Sequence, residues 1–374
     1  MYLNGLSPEP LASEASISAQ ATAGGRVPTG IRRASVGPMP GPVAVPLLPR
    51  IGIHTSTAGH LAESLERACK LGANCLQLFS FSPRMWGYEP RIAAADAARF
   101  RERRGELGLT PLVIHANYLI NLASPDPILR VRSVQAFRGE IIRAMDLDAE
   151  YLVLHPGSRV GGPLEPALAA VAEGLRQAAR GFDLKRLRIL LENTAGQGSV
   201  LGSRFEELAA IMTMARDSSP GFPLGVCLDT AHLLAAGFEV RTADGLDAML
   251  FDVEQTIGLR NVHVIHMNDS KAMLGARVDR HEHIGKGHIG TEAFARILSH
   301  LLLAGRAFVL ETPIDKPGDD RRNIRALWTM AARDGGHVPP QAETGFTMFY
   351  RPRRKRTAQP GIAVGTSTAK RIKR

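Results

Sequence analysis

Val262-His263-Val264-Ile265-His266-Met267-Asn268-Asp269-Ser270-Lys271 runs apolar up to His266 and then turns abruptly polar. A strand buried on both faces, as in a parallel sheet, reads as a continuous apolar run. The switch to polar residues marks where such a strand leaves the core. The pattern recurs on both sides of this segment. Upstream lie Ile51–His54, Asn74–Phe79, Leu112–His115, Tyr151–His155, Arg188–Glu192 and Leu224–Asp229; downstream lies Ala307–Glu311. Helical stretches separate these runs. Thr55 or Ser56 is placed to cap a helix with Leu61, Leu65, Ala68 and Cys69 on one face, and Gly72 to stop it. Ser124-Pro125 is placed to open a long helix that buries Val134, Phe137, Ile141 and Met145. A last helix is expected from about Asp319 to Arg333. Eight short strands alternating with helices predict an α/β protein, a closed (β/α)8 TIM barrel. An open doubly wound sheet is the competing architecture. It would need a Gly-rich phosphate loop after the first strand, and none is present there.

The ends of the chain differ from its middle. The net charge is +10, but residues 1–50 carry four Arg and two Glu, and residues 351–374 carry nine Lys and Arg with no acid. That leaves 33 basic and 34 acidic groups in between, a net of −1. The segment 1–48, rich in Ala, Ser, Gly and Pro, is expected to be a disordered extension. Residues 49–336 are expected to form the barrel domain, and 337–374 a basic, disordered tail able to attract phosphates nonspecifically. No apolar run is long enough for a membrane span, and the N-terminus does not look like a secretory signal. Cys69, Cys75 and Cys227 sit in apolar or helical surroundings. They read as thiols of a reducing compartment, and a cytoplasmic location is expected.

The way the strands end carries the chemistry. The third to eighth runs finish at His115, His155, Glu192, Asp229, His266 and Glu311, spaced by 40, 37, 37, 37 and 45 residues. In a barrel all C-terminal strand ends open at one mouth, where sites of this fold lie. His232 follows Asp229 by three residues, and Asp279 with His281 follows the seventh strand. The Asp-x-His spacing puts both side chains on one side of an extended segment. Five imidazoles and four carboxylates would thus converge. Without cations the carboxylates would repel one another and be driven to protonate. Nine donors are too many for one divalent ion and enough for two or three. Mixed nitrogen and oxygen ligation without Cys suits zinc, and manganese or iron at some sites. Such a cluster fits hydrolysis of a phosphodiester, because paired metals stabilise both oxygens of an in-line displacement.

His155-Pro156-Gly157-Ser158, Glu192-Asn193-Thr194-Ala195-Gly196-Gln197-Gly198, Gly225-Val226-Cys227-Leu228-Asp229-Thr230-Ala231-His232, His266-Met267-Asn268-Asp269-Ser270-Lys271 and Arg277-Val278-Asp279-Arg280-His281 resemble, in order, the motif series of the endonuclease IV family of apurinic/apyrimidinic (AP) endonucleases. The resemblance runs from about Ile51 to about Arg333. It implies a three-zinc TIM barrel in which His115, His155 and Glu192 hold one ion. Glu192, Asp229, His266 and Glu311 would hold a second, with Glu192 bridging, and His232, Asp279 and His281 a third. It implies a zinc-dependent AP endonuclease of base-excision repair, with Glu192 the catalytic residue, probing double-stranded DNA for abasic sites or blocked 3′ ends. Cleavage 5′ to the abasic site would leave a 3′-hydroxyl and a 5′-deoxyribose phosphate. In Phe79–Trp86, Arg84 matches the family's inserted arginine, and in Asn117–Leu122, Tyr118 and Leu119 match its wedge into the base stack. Chemistry on a deoxyribose in a duplex needs the nucleotide flipped out, and apolar or planar wedges fill the gap. The enzyme is expected to act as a monomer.

His60 departs from the family pattern and is expected at the surface or at a helix start. His54, not a family ligand, is expected to support a metal-bound carboxylate or a phosphate. His283 and His288 are expected in a polar loop. Two other functions compete. A sugar isomerase or epimerase on a related metal barrel would leave His232, Asp279 and His281 unexplained. A noncatalytic lesion sensor would be expected to have lost some of the donors.

Overall fold

The computed structural model of the chain describes residues 48–86 and 91–333. Leu48 apart, the expected N-terminal extension and the basic tail lie outside the described residues. The strands are β1 (Arg50–His54), β2 (Cys75–Phe79), β3 (Leu112–His115), β4 (Tyr151–Leu154), β5 (Arg188–Glu192), β6 (Leu224–Asp229), β7 (Val262–His266), β8 (Asp269–Ser270), β9 (His281–Glu282) and β10 (Ala307–Leu310). The helices are α1 (Glu63–Leu71), α2 (Ala94–Leu107), α3 (Pro127–Asp146), α4 (Leu164–Ala179), α5 (Phe205–Ser218), α6 (Thr230–Ala236), α7 (Ala243–Thr256), α8 (Thr291–Ser299) and α9 (Asp319–Arg333). β1 to β7 and β10 pair in parallel and close into a barrel through β1 and β10. β8 and β9 form a small antiparallel pair above it. No helix among the described residues is long and apolar enough to cross a membrane.

Strand alternation explains where the site sits. Cys75, Val113, Val153, Leu190, Cys227, Val264 and Val309, one from each of seven strands, pack together with Ala307 as the filling of the barrel. Gly52 supplies the eighth position. A Cβ there would lie 2.4 Å from the Cys75 carbonyl oxygen, so the close approach of β1 to β2 requires glycine. Two residues further along each strand, side chains return to the same face. Those residues are His54, Gln77, His115, His155, Glu192, Asp229, His266 and Glu311. The polar layer is therefore the next storey of the core, at the C-terminal mouth. The larger apolar core fills the space between the barrel and its helices, with Phe100, Phe137, Phe294 and Phe308 fully buried.

Helix boundaries depart from expectation in two places. α1 begins only at Glu63, and its N-cap Ala62 offers no side chain to the first turn. Thr55 and Ser56 therefore do not cap it. Thr55 instead continues beside β2, its N–H donating to the Gln77 carbonyl at 2.8 Å. Gly72 does end the helix, in the left-handed conformation at φ 87°. α3 opens at Pro127 with Asp126 as N-cap, two residues beyond Ser124-Pro125. The Asp126 carboxylate accepts from the N–H of Ile128 at 2.8 Å and of Leu129 at 3.4 Å. A carboxylate cap followed by Pro at the first helical position is the stronger start signal. Met145, expected on the buried face, is exposed. Phe137 and Ile141 are fully buried, Val134 is partly so, and the face is completed by Ala136, Glu140 and Ala144. The α9 range is as expected.

One buried carboxylate organises the loop over the mouth. Asp269 Oδ1 accepts from the N–H of Ser270 at 2.8 Å and Ile289 at 2.9 Å, and Oδ2 from Gly285 at 2.9 Å and Gly290 at 3.4 Å. Gly287 passes so close that a Cβ would meet Ser270 O at 2.4 Å. Bonds from backbone N–H groups to a carboxylate are charge-assisted, and breaking them strands buried donors. Asp269→Ala is expected to lower stability by about 2–4 kcal/mol, read as an earlier urea midpoint. An unchanged midpoint would show that the loop orders itself without Asp269.

Candidate metal centre

The nine expected donors come together. Glu192, fully buried at the end of β5, sits in the middle. Its Oε2 lies 3.2 Å from His115 Nε2 and 3.1 Å from His155 Nε2. Its Oε1 lies 3.1 Å from His266 Nδ1. His266 Nδ1 is also 3.3 Å from Glu311 Oε2 and 4.0 Å from Asp229 Oδ2. A third group forms around the loop residue Asp279, whose Oδ2 is 3.2 Å from His232 Nε2 and Oδ1 3.3 Å from His281 Nε2. His281 Nε2 is in addition 3.6 Å from Asp229 Oδ2. Three sets of donor atoms are compact enough for an ion each: His115, His155 and Glu192; Glu192, Asp229, His266 and Glu311; and Asp229, His232 and His281. The last differs from expectation in having Asp229 where Asp279 was expected. Asp279, the most exposed of the carboxylates, still reaches both imidazoles.

The backbone fixes which ring nitrogen faces the cluster. Nδ1 of His115 lies 2.8 Å from the Ala116 carbonyl, Nδ1 of His232 2.9 Å from that of Asn193, and Nδ1 of His281 3.2 Å from that of Glu311. A carbonyl only accepts, so each Nδ1 carries the hydrogen. In the neutral rings Nε2 then has a lone pair, and it points at carboxylate oxygens that also only accept. Two acceptors at 3.2–3.6 Å repel unless a proton or a cation lies between them. His281 Nε2 is buried and has no hydrogen-bond partner among the described residues. This donor set fits divalent ions.

Protonation does the same work when no metal is present. Burial disfavours charge on Glu192, yet the imidazoles of His266 and His155 hold its carboxyl well below the usual carboxylate range. Burial pushes the His232 imidazole down, and Asp229, Asp279 and Glu192 more than reverse this. His266 behaves alike, with burial opposed by Cys227, Glu311 and Glu192, and ends well above its ordinary value. Asp279 is also held low, burial being outweighed by His232 and His281.

Asn193 Oδ1 accepts from the Asp229 N–H at 2.6 Å, and Asn268 Nδ2 donates to Asp229 Oδ2 at 2.5 Å. Asn268 Oδ1 accepts from the Glu311 N–H at 2.8 Å, and its backbone is clamped by Thr230 Oγ1. Asp229 Oδ1 caps α6 through the His232 N–H at 2.8 Å, so one residue aims His232 as well as offering an oxygen. A reading of strand ends misses these helpers because they lie one or two residues past the ends, or begin a helix. His54 takes a supporting place as expected. Its Nδ1 lies 3.6 Å from Glu311 Oε1 and 3.0 Å from the Gln77 amide. His60 is exposed, His288 lies on an exposed loop, and His283 pairs with Asp315 and Asp319.

The loops after β2 and β3 rise beside the cluster. The half-exposed Tyr118 ring packs on Phe79, His115 and His155 at centroid distances of 5.2, 5.5 and 6.3 Å. Leu119 is half-buried, and its N–H bonds Asn117 Oδ1 at 2.7 Å. Asn117 Nδ2 donates to the carbonyls of Ser82 and Met85, which ties the two loops together. Arg84 is exposed on the turn so held, with no ion pair among the described residues. Trp86 packs against the core under Arg132, whose guanidinium carbon is 4.5 Å from the ring centroid.

Residues 65–331 match the family model described as the xylose isomerase-like TIM barrel. A protein of Solibacter usitatus named probable endonuclease 4 is 51% identical over 285 residues, covering 75% of this chain and 97% of that protein. A protein of the same name from Methanosphaerula palustris is 41% identical over 284 residues, covering 75% and 98%. The crystal structure of endonuclease IV from Thermus thermophilus superposes with a TM-score of 0.67 at 39% identity, covering 75% of this chain and 98% of that one.

Metal uptake should displace protons. His232 and His266 are raised above 6.5, so in the metal-free chain both carry an extra proton near pH 7 and lose it to a bound ion. Zinc binding at pH 7 is expected to release at least that pair of protons, and apparent affinity to fall as pH falls. Calorimetry of zinc uptake in buffers of different ionisation enthalpy reads the number. Uptake with no proton release would contradict imidazolium in the cluster.

Proposed function

The chain belongs to the endonuclease IV family of xylose isomerase-like TIM barrels, metal-dependent hydrolases that cleave DNA, and we propose that abasic sites in duplex DNA are its substrate. Cleavage 5′ to the lesion leaves a 3′-hydroxyl and a 5′-deoxyribose phosphate, and the same centre trims blocked 3′ ends. In this proposal three zinc ions are held by His115, His155 and Glu192; by Glu192, Asp229, His266 and Glu311; and by His232, Asp279 and His281. The chain acts as a monomer. The free thiols of Cys69, Cys75 and Cys227 support work in a reducing cytoplasm.

The observation that carries the reading is the division of Glu192. One oxygen faces His115 and His155 and the other faces His266, which is what a carboxylate shared by two cations must do. Bound divalent ions supply Lewis-acid stabilisation of a phosphodiester and a hydroxide nucleophile at neutral pH. The protein's own part is to place and exclude. Glu192 sets the spacing between the two donor groups that it joins. Tyr118, tilted against His115 and edge-on to His155, stands where a flipped-out nucleotide would enter, and with Leu119 it can fill the vacated base stack. Arg84, on the turn pinned by Asn117, reaches into the duplex from the same rim and offers its charge to a phosphate.

A sugar isomerase on the same barrel is the competing function. Against it stands the third donor group, since His232, Asp279 and His281 add a site that a one- or two-ion isomerase leaves without work.

The deciding assay is nicking of a duplex with a single abasic site, with and without a strong chelator. Metal-dependent nicking is expected, with near three zinc per chain by mass spectrometry. Turnover of a free ketose with indifference to abasic DNA would point to the isomerase. Binding without nicking by the metal-loaded protein would point to a lesion sensor. Glu192→Gln is expected to lose nearly all cleavage while DNA binding persists, and full activity in it would remove Glu192 from the chemistry. Tyr118→Ala is expected to raise KM for the abasic duplex by about 5- to 100-fold, the worth of one aromatic stacking contact with a base, with a smaller change in kcat.

A further inference from the structure

Gln77 has no place in the donor set, yet it occupies the same storey of the barrel. It lies on β2 two residues beyond the interior residue Cys75, and its side chain is fully buried. Three polar groups converge on its amide. Nε2 lies 2.5 Å from Glu311 Oε1 and 3.0 Å from His54 Nδ1, and Oε1 lies 2.9 Å from His266 Nε2.

The chemistry of these partners leaves one arrangement. A carboxylate can only accept, so the NH2 of Gln77 must face Glu311. Its oxygen then faces His266 Nε2, so that nitrogen must carry a hydrogen. His266 Nδ1 is thereby left to the donor cluster, 3.1 Å from Glu192 and 3.3 Å from Glu311 Oε2. With Glu311 Oε1 taken by the amide, Oε2 is the oxygen that remains. A single amide therefore selects the outward-facing atom on two donors of one group. His115, His232 and His281 have the same choice made by backbone carbonyls, which no substitution removes. For His266 the choice rests on a side chain.

We propose that Gln77 is a positioning residue of the metal centre, holding His266 in the tautomer that frees Nδ1 and Glu311 in the orientation that frees Oε2, and so slowing loss of the ion at the Glu192–Asp229–His266–Glu311 group. This rests on the metal-centre reading above. Groups that orient metal ligands typically change metal affinity or activity by about 10- to 100-fold when removed.

The test is the time course of zinc release to a chromogenic chelator from the full-length, metal-loaded chain. Gln77→Leu and Gln77→Met fill the same volume without the amide. In both, one release phase is expected to accelerate by about 10- to 100-fold while the others keep the parent rates, and kcat on abasic duplex to fall with KM for DNA little changed. His54→Ala, which removes one partner of the amide and a 3.6 Å contact to Glu311 Oε1 but leaves the amide bonds to His266 and Glu311, is expected to accelerate that phase by much less. Equal acceleration of every phase would indicate general loosening and overturn the role. Parent-like release from either folded variant would overturn it too. A parent chain that holds no metal would overturn the metal-centre reading itself, an outcome read from the parent alone before any variant is made.

Discussion

Everything in this molecule is built around a carboxylate with no access to water. Glu192 is fully buried, and an unpaired buried carboxylate would protonate before it stayed charged. Its two oxygens are met instead by imidazoles from β3, β7 and the segment after β4. The imidazoles cannot by themselves satisfy the cluster, because backbone carbonyls turn the lone pairs of His115, His232 and His281 toward Glu192, Asp279 and Asp229 rather than their hydrogens. The arrangement is stable only when positive charge enters, as protons or as metal ions. Electrostatic need and catalytic capacity are the same property here.

That need explains how much structure is spent holding the donors still. Asp229 offers one oxygen to the cluster and caps α6 with the other, so the helix that carries His232 starts from a donor of the cluster. Asn193 and Asn268 fix Asp229 from both sides, and Asn268 also holds the backbone of Glu311. A rigid frame keeps acidic side chains at metal-binding distance before the ion arrives, which lowers the ordering cost of binding.

The strand order and all nine donors are legible in the chain because parallel strands alternate with a strict period and their ends converge. Val113 and His115, or Leu190 and Glu192, are an interior residue and the next residue on the same face. Gln77 obeys that rule after Cys75, but it lies inside an apolar run that continues to Phe79, so attention to strand ends passes over it. The start of α1 is hidden because Thr55 resembles a cap while its N–H is claimed by the neighbouring strand. Spacing alone puts Met145 on a buried face, but in the last turn of α3 the buried place is taken by Ala144. Asp269 is legible only as polar. Its role is to collect four N–H groups, three of them from residues 285–290, and pairing over that range leaves no local periodic mark.

The loop that Asp269 organises matters because it brings in the last donors. The β8–β9 pair registers Ser270 against His281, the segment between carries Asp279 back over the mouth, and Asp279 N–H donates to Gln197 after β5. His281 then hydrogen-bonds the carbonyl of Glu311, whose side chain accepts from Gln77 and whose N–H donates to Asn268. Donors on a loop are thus referred to the same residues that fix donors on the strands. The third group is not an appendage to a two-ion barrel site. Displacing the backbone of Glu311 would release the anchor of His281, whereas loss of a bond to its side chain leaves that anchor in place. The shared anchors run through the backbone of Glu311 rather than its side chain, and three donor groups lie within reach of Glu192 and Asp229.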